Sequence, residues 1–598
     1  MSLPGITAII GDVKNGEITD KKKKDVVFFT GKNVKGYVSY HNAFNHEPVY
    51  YDEISGVGVC CDGRPYKYGL TGNCVLSKDI VKDYLSSGMT AIQKYSGSFN
   101  ILIWNNNTGH VEFINDKYCL RPMFYVNSDC SVYLSTSAKR VADLVGMTYK
   151  LNDEFVYNAL SYSRIGLCED SIFEGVKYLQ AATHISYHST INVKKYFSYN
   201  ELYCSGEPCL TPKDMSTFFQ ELMGKYTSND ENIGVNLSGG LDSRMLICSM
   251  NEAEKKRTTS FTWGYSENNS EISLAKDVAR SCNTDWQFIE LAPNDFIRRW
   301  QEGVALLEGR DLFVQSYGLS AFPIVKNKVD ISLTGLALDV TLGGSYYVDS
   351  SNTGVENGPF DQILRRFNAF KNHNNMFLHQ KLADSYVEQL KTNALERFNA
   401  DASDDANFAI DHFVFKSRVE RILNARQSWQ RLYVEDLCPT FDDALLEEIY
   451  KIPFASKKNH KFYRDVMLEM SADCSTIPYQ STMLPVQAPI EFWAKSAELE
   501  AKREGLLREL YYKTNGNVFV GCDRYYSNFD EWLRVESSWV ELTNQMLLSN
   551  DSILAQQYIS HDWLKKVIDQ HRSGEQSHYG VLIQLLTVEM TLRWFHGL

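Results

Sequence analysis

A short glycine turn between a strand and a helix is the feature that most constrains the fold of this chain. The peptide Leu237-Ser-Gly-Gly-Leu-Asp-Ser243 lies between strand-like residues 233–237 and helix-like residues 244–250. Further strand-like and helix-like stretches follow in alternation, at residues 259–263, 271–282 and 286–291. Strands that alternate with helices predict a parallel, doubly wound sheet. The turn is then expected at the carboxyl end of the first strand of that sheet.

The 598 residues are too many for one hydrophobic core, so more than one domain is expected. Residues 1–197 are rich in short strands between turn residues, and Asn105-Asn-Asn-Thr-Gly109 predicts a hairpin. Residues 198–214, which include Gly206 and two prolines, predict a linker. Residues 215–598 form the second predicted domain, and periodic apolar residues beyond about Pro359 predict mostly helices there.

Composition excludes several classes of protein. The formal net charge of -13 argues against non-specific nucleic-acid binding. The thirteen cysteines show no zinc or redox spacing, which favours reduced thiols and a cytoplasmic location. The first residues lack the pattern of a signal peptide. No apolar stretch reaches the ~18 residues of a membrane span, so no membrane association is expected.

The glycine turn also predicts a chemistry. Backbone N–H groups of Ser238, Gly239 and Gly240 can point at one place, and the following helix adds its positive end. Together they predict an anion site of pyrophosphate size, in which Asp242 requires an intervening Mg²⁺. Neither the Walker spacing nor a dinucleotide fingerprint is present. The structural alternative is a tight turn in which a serine caps the helix.

Ser238-Gly-Gly-Leu-Asp-Ser243 resembles the pyrophosphate-binding loop of N-type ATP pyrophosphatases, in the form found in asparagine synthetases and β-lactam synthetases. Enzymes of this family cleave ATP between the α and β phosphates and transfer AMP to a carboxylate. An amine or ammonia then displaces the AMP. The resemblance implies ATP and Mg²⁺ as cofactors, with a carboxylate and an amine or ammonia donor as substrates. The resemblance is compatible with a homodimer but does not require one.

Two later segments resemble the same family in the expected order. Ser260-Phe-Thr-Trp-Gly264 resembles the second strand, where the residue at Trp263 meets adenine through its backbone; the alternative is a core aromatic. Ser332-Leu-Thr-Gly-Leu-Ala-Leu-Asp-Val-Thr-Leu-Gly-Gly344 resembles the second phosphate segment. The implied ATP and pyrophosphate site comprises Leu237, Ser238, Gly239, Gly240, Asp242, Ser243, Trp263, Gly264 and Gly335. The implied metal ligands are Asp242 and Asp339.

The chain departs from the family at positions whose side chains transfer protons in the family's reaction. Leu336 and Val340 stand where the family has glutamates, and leucine cannot transfer a proton. The family's late catalytic lysine is missing from residues 476–483. Lys461, with its neighbours Lys457 and Lys458, is a candidate by vicinity, although a solvated cluster is the common alternative. Arg310 is a candidate replacement for the family's pyrophosphate arginine.

The N-terminal half resembles the class II glutamine amidotransferase domain, an N-terminal-nucleophile hydrolase. Tyr95-Ser-Gly-Ser-Phe-Asn-Ile-Leu-Ile-Trp-Asn105 and Asn115-Asp-Lys-Tyr-Cys-Leu-Arg-Pro-Met-Phe-Tyr125 carry this resemblance. Pro4 stands in the register of the nucleophilic cysteine and has no thiol. Asp62-Gly63 replaces the oxyanion Asn-Gly pair, and its carboxylate would repel an oxyanion. A mature Ser2 is an alternative nucleophile two residues out of register. We expect an inactive glutaminase.

The predicted fold is α/β. An αββα sandwich like that of N-terminal-nucleophile hydrolases precedes a Rossmann-like parallel-sheet ATP pyrophosphatase domain with a helical C-terminal part. The predicted function is ATP-dependent amide-bond formation by an asparagine synthetase-like ligase that does not depend on glutamine. One alternative is a non-catalytic ATP-binding or regulatory homologue. The other is a glutamine-dependent asparagine synthetase of asparagine biosynthesis.

Overall fold

The structure of the protein is a computed structural model. It describes residues 3–12, 26–40, 47–128, 130–162, 164–203, 208–348, 358–368, 370, 375–401, 403, 405–514 and 525–598. Ser2, the alternative nucleophile, and Gly206 of the predicted linker lie outside these residues.

Two antiparallel sheets form the N-terminal half. Its strands and helices are β1 (Gly5–Gly11), β2 (Val26–Gly31), β3 (Val34–Ser39), β4 (Val49–Asp52), β5 (Val57–Tyr66), α1 (Ser77–Ser87), α2 (Met89–Ile92), β6 (Ser96–Asn105), β7 (Val111–Asn115), β8 (Phe124–Asn127), β9 (Ser131–Ser135), α3 (Ala138–Val145), α4 (Asp153–Ser161), β10 (Lys177–Tyr178), β11 (Thr183–Tyr187) and β12 (Ile191–Lys195). The strand orders are β10-β8-β9-β1-β3-β2 and β12-β11-β7-β6-β5-β4. The predicted hairpin joins β6 to β7.

Alternating burial along the central strands explains the layers. In β6, Ile101 and Ile103 belong to a core cluster with Ile80 of α1. Leu102 points to the opposite face and clusters with Ile10 of β1 in the other sheet. Successive strand residues face opposite sides, so one strand serves two cores. With α3 packed on β8 and β9, the order of layers is helix, sheet, sheet, helix.

A parallel sheet begins the second half. Its elements are α5 (Pro212–Tyr226), β13 (Ile233–Asn236), α6 (Asp242–Cys248), α7 (Glu252–Lys256), β14 (Thr258–Gly264), α8 (Ser270–Ser281), β15 (Asp285–Glu290), α9 (Trp300–Leu307), α10 (Gly318–Val325), β16 (Ile331–Leu333), α11 (Leu338–Thr341) and β17 (Glu435–Leu437). The strand order is β15-β14-β13-β16-β17, and every pair is parallel. Within the predicted linker, Tyr199 and Leu202 are buried, and α5 already begins at Pro212.

Helices dominate the rest of the chain. They are α12 (Gly358–Phe367), α13 (Gln380–Ala400), α14 (Ala406–Val414), α15 (Asn424–Ser428), α16 (Asp443–Lys451), α17 (Phe454–Lys457), α18 (Lys461–Met470), α19 (Ala472–Thr476), α20 (Ile490–Lys513), α21 (Phe529–Val535), α22 (Ser537–Thr543), α23 (Ile553–Gln557), α24 (His561–Ser573) and α25 (Tyr579–His596), with the short strands β18 (Pro478–Tyr479) and β19 (Leu484–Pro485). The π-helical segment Phe415–Leu423 joins α14 to α15. None of the helices in the described ranges is long and apolar enough to cross a membrane. The predicted fold class is confirmed.

Buried ion pairs join the two halves. The guanidinium of Arg121 lies 2.7 Å from a carboxylate oxygen of Asp62 and also donates to Glu435 at the start of β17. Arg64 donates to both carboxylate oxygens of Glu231, before β13, at 2.8 and 2.6 Å. Burial alone would lower the pKa of Arg121, but Asp62 and Glu435 raise it, so its charge is kept. The N-terminal half therefore packs against the amino edge of the parallel sheet.

We predict that Arg121→Leu destabilises the protein by about 3–5 kcal/mol, because it leaves Asp62 and Glu435 buried without a partner charge. Urea unfolding followed by fluorescence measures the change in the first transition. Arg280→Leu is the matched control, since Arg280 forms an exposed pair with Asp277, and such a pair contributes about 0–1 kcal/mol. Equal shifts in the two variants would contradict the structural role of Arg121.

Candidate active site

The glycine turn is held by bonds among its own residues. Ser238 donates its backbone N–H to the Ser243 hydroxyl at 3.0 Å, and Gly240 donates to the Ser238 hydroxyl at 3.2 Å. Leu237 is buried and donates its N–H to the Phe261 carbonyl at 2.9 Å, which continues the ladder between β13 and β14. The turn therefore begins where β13 ends and leads directly into α6.

Asp242 and Asp339 meet at this edge of the sheet. β13 pairs with β16 in parallel, so both strands end side by side. Asp339 donates its backbone N–H to the Asp242 carboxylate at 3.4 Å. A side-chain carbon at Gly335 would lie 2.8 Å from the Asp242 carbonyl oxygen, so only glycine allows this approach. The structure thus brings together carboxylates that are far apart in the sequence.

Neighbouring hydroxyls orient the two carboxylates. Tyr463 of α18 donates its hydroxyl to Asp242 at 3.0 Å, and Ser345 donates to Asp339 at 3.0 Å. Burial, and next the charge of Asp339, raise the pKa of Asp242 well above its usual value. A cation between the carboxylates would remove this repulsion, and carboxylate oxygens are the ligands that Mg²⁺ prefers. The donor set fits a magnesium ion.

Trp263 and Gly264 end the neighbouring strand β14. The Trp263 ring packs against Phe261, Tyr317 and Phe322, so the side chain is a core aromatic. The Phe261 carbonyl faces β13, where it accepts from Leu237. Strand residues two apart direct their polar groups to the same side, so the Trp263 backbone faces the space where β13 has ended. The backbone is available there for a base edge.

Several residues at this edge were not predicted from the sequence. The guanidinium of Arg244 is fully buried and donates to the carbonyls of Cys474, Ile477 and Pro478. Gln480 donates its backbone N–H to the Gly239 carbonyl at 3.2 Å. Segment 474–480, more than 200 residues later in the chain, thereby forms one wall of the glycine turn. The motif spacing contains no signal for these contacts.

Two domain models match this chain. A model described as asparagine synthase matches residues 218–466, and one described as a glutamine amidotransferase domain matches residues 77–197. Together they cover more than half of the chain. The chain belongs to the asparagine synthetase-like family.

Curated relatives agree with this family. Asparagine synthetase [glutamine-hydrolyzing] 1 of Bacillus subtilis (strain 168) is 21% identical over 261 residues, which are 42% of this chain and 40% of that protein. Asparagine synthetase [glutamine-hydrolyzing] 2 of the same strain is 23% identical over 243 residues, which are 36% of this chain and 32% of that protein. The aligned region thus spans less than half of either relative.

Solved structures with some likeness include the allosteric regulatory enzyme of purine biosynthesis, at 10% identity over 48% of this chain and 74% of that one, with a TM-score of 0.21. The NH3-dependent NAD synthetase from Campylobacter jejuni is 14% identical over 39% of this chain and 96% of that one, with a TM-score of 0.19. Likenesses of this size carry no weight in the assignment, which rests on the domain matches.

Arg310, the candidate replacement for the family's pyrophosphate arginine, makes its contacts with the end of α9 and with the N-terminal half. Arg310 is buried, donates to the carbonyls of Leu306 and Leu307, and lies over the ring of Phe124 in the N-terminal half. The reason is Glu308, which ends α9 with φ +49° and accepts a hydrogen bond from the backbone N–H of Ala138, at the start of α3. This contact turns the segment toward the other half of the protein.

The late lysines have different environments. Lys461 is exposed and pairs with Asp465 at 2.8 Å, as expected of a solvated cluster, so the structure gives it no place beside the two aspartates. Lys457 is fully buried, and its ammonium lies over the rings of Tyr450 and Phe454. Burial lowers the pKa of Lys457 to about 8, against the opposing effect of Asp411. Neither lysine contacts the glycine turn through its charged group.

The residues predicted to form a degenerate glutaminase site, Pro4, Asp62 and Gly63, lie beside a buried ion pair. Asp62 lies against the start of β1, since a side-chain carbon at Gly5, next to Pro4, would lie 3.0 Å from its carboxylate. Gly63 has φ +103°, and a side-chain carbon there would meet the Arg121 guanidinium at 2.3 Å. Arg121 thus neutralises Asp62 where the family places its oxyanion-binding pair. The positive charge of the Arg121 guanidinium is already paired with the carboxylates of Asp62 and Glu435.

Glu271 of α8 links the wall of the glycine turn to residue 526. Its carboxylate accepts from the Gln480 side chain at 3.3 Å and from the Tyr526 N–H at 3.2 Å. Burial raises the pKa of Glu271 to about 7, whereas an unfolded glutamate titrates near ~4.5. The protonated Glu271 carboxyl therefore contributes its full stabilisation at pH values below the unfolded pKa. This stabilisation is lost as the pH rises through about 7.

We therefore predict that Glu271→Gln raises the free energy of unfolding at pH 8 by about 1–2 kcal/mol, a value reduced because Glu271 is partly exposed to solvent. At pH 4.5 the substitution should change the free energy of unfolding little. Urea unfolding of both proteins at the two pH values measures the difference. Glu267→Gln is the control, because Glu267 is an exposed residue paired with Lys276. A gain at pH 8 no larger than in the control would show that Glu271 is not strained by burial.

Proposed function

We propose that this chain is an ATP-dependent ligase that adenylates a carboxylate and joins it to an amine, releasing AMP and pyrophosphate. The observation that carries the proposal is the pair Asp242 and Asp339 beside a glycine turn, at the carboxyl edge of a parallel sheet. Ligands of open α/β sheets bind at this edge. The asparagine synthase domain match supports the reaction class.

In this proposal the glycine turn binds the β and γ phosphates. The N–H groups of Ser238 and Gly240 now donate to serine hydroxyls, which a phosphate oxygen can replace as the acceptor. Helix α6 adds the positive end of its dipole. The Trp263 backbone reads the adenine edge, and the lining residues are Leu237, Ser238, Gly239, Gly240, Asp242, Ser243, Trp263, Gly264 and Gly335.

Asp242 and Asp339 would hold Mg²⁺, which supplies charge neutralisation for the departing pyrophosphate. Tyr463 and Ser345 keep the two carboxylates in place through their hydroxyls. The two positions where the family has glutamates are apolar here, because they are Leu336 and Val340. The acid–base step of the family's acyl transfer therefore cannot use those positions.

We further propose that the nitrogen does not come from glutamine hydrolysed by this chain. Pro4 supplies no nucleophile, and Asp62 is paired with Arg121 at 2.7 Å instead of being an oxyanion donor. The amine is then free ammonia, an amine on a second substrate, or an amine within the same molecule. The N-terminal half acts as a structural partner of the synthetase half.

A non-catalytic ATP-binding homologue is the second candidate. Leu336 and Val340 favour it, since both replace glutamates of the family. This candidate would bind ATP·Mg²⁺ without turnover, which distinguishes it from the ligase. A glutamine-dependent asparagine synthetase is the third candidate, supported by the names of the relatives and opposed by Pro4.

We predict carboxylate-dependent exchange of labelled pyrophosphate into ATP across a broad carboxylate panel. Asp339→Asn should lower the exchange at least ~100-fold, because it removes one charge from the metal site. Circular dichroism checks that the fold is retained. The absence of exchange with every carboxylate would count against the ligase.

Asp330→Asn is the matched control. Asp330 precedes β16 at the opposite end of the same strand and accepts from the Asn232 side chain at 3.0 Å. Exchange should continue in this variant. Equal losses in the two variants would mean that the Asp339 effect comes from damage to the strand and not from the site.

We also predict that no glutamate is released from glutamine. A coupled glutamate dehydrogenase assay measures release in the presence and absence of ATP. Release above the rate of a heat-denatured sample would revive the glutamine-dependent enzyme.

A further inference from the structure

Three buried cysteines from distant parts of the chain meet at the end of α6 that lies away from the glycine turn. They are Cys248 at the end of α6, Cys282 just after α8 and Cys474 in α19. The sulfur atoms of Cys248 and Cys282 are 3.6 Å apart, and those of Cys282 and Cys474 are 3.4 Å apart. All three lie within 4.8 Å of one another, and no other group of metal-binding type with this geometry occurs among the described residues.

These separations match a shared ion better than a disulfide. A disulfide needs about 2.0 Å between its sulfur atoms. Metal–sulfur bonds of about 2.3 Å place three ligand sulfurs about 3.8–4.0 Å apart, close to the observed spacing. Thiolates select soft ions such as Zn²⁺ and Cu(I) over Mg²⁺ or Ca²⁺.

The surroundings can balance the charge of such a site. Arg244 lies one helical turn before Cys248, and its buried guanidinium donates to the Cys474 carbonyl at 3.1 Å. Three thiolates with Zn²⁺ carry one negative charge, which the guanidinium offsets. The Cys474 thiol also donates to the Ser281 hydroxyl at 3.4 Å, so one further oxygen lies beside this sulfur.

We propose that Cys248, Cys282 and Cys474 bind one thiophilic metal ion, either Zn²⁺ or Cu(I). Three metal–sulfur bonds form, and the protons of the thiols leave to solvent without any change of oxidation state. The ion joins α6, α8 and α19. Because α6 starts at the glycine turn and the segment after α19 forms its wall, the ion fixes the frame of that turn. This site is independent of the proposed ligase activity.

The test uses the full-length chain, stripped with a chelator under reducing conditions. In one arm Zn²⁺ alone is titrated against a chromophoric chelator. In the other arm Cu(I) alone is titrated against bicinchoninate without oxygen. We expect one ion per chain in at least one arm, and the arms identify the ion. X-ray absorption of the loaded protein should show three sulfur atoms at about 2.3 Å.

Variants locate the site. Cys282→Ser and Cys474→Ser should abolish tight binding, whereas the control Cys119→Ser should bind one ion, since Cys119 is buried elsewhere and donates to the Leu179 carbonyl. If the serine variants fail to fold, the X-ray absorption spectrum of the loaded, unaltered protein decides whether three sulfur atoms surround the ion. Three results would overturn the proposal: no stoichiometric binding in either arm, only nitrogen and oxygen neighbours around the ion, or a disulfide within the triad.

Discussion

The parallel pairing of β13 with β16 is the constraint on which the candidate active site depends. In this pairing Ile233 lies opposite Ile331, and Val235 lies opposite Leu333. The two strands therefore end at the same level of the sheet. Asp242 and Asp339, 97 residues apart, then reach hydrogen-bonding distance. The two segments touch closely enough that only Gly335 fits between them. A change that shifted either strand by one residue would move one of the two following segments by about 3.3 Å along the strand direction and so separate the carboxylates.

Holding two carboxylates together opposes folding. The fold nevertheless brings hydroxyls from Tyr463 and Ser345 to the pair and leaves the mutual repulsion in place. Like charges at short distance raise a carboxyl pKa, and such perturbed groups concentrate at functional sites. The arrangement therefore supports the proposal that a cation binds between the two carboxylates.

The order of strands and helices around the glycine turn could be predicted from sequence, because apolar alternation and turn residues are local signals. Tyr463 and Gln480 could not, because their contacts depend on how distant helices pack. The environment of Arg310 could not be predicted either, because a single left-handed residue, Glu308, turns the chain toward the N-terminal half. The cysteines show the same limit. Spacing along the chain excluded a metal motif, yet the fold collects Cys474 and two others at one place.

The ion pair at Asp62 and Arg121 bears on how such a chain can evolve. Arg121 shares its charge between Asp62 in its own half and Glu435 in the other. Replacing Asp62 by the family's asparagine would leave the charge of Arg121 to Glu435 alone. A substitution at Asp62 that changes this pocket therefore also disturbs the seam between the halves. The pocket and the seam between the halves can in this sense change only together, because one guanidinium serves both.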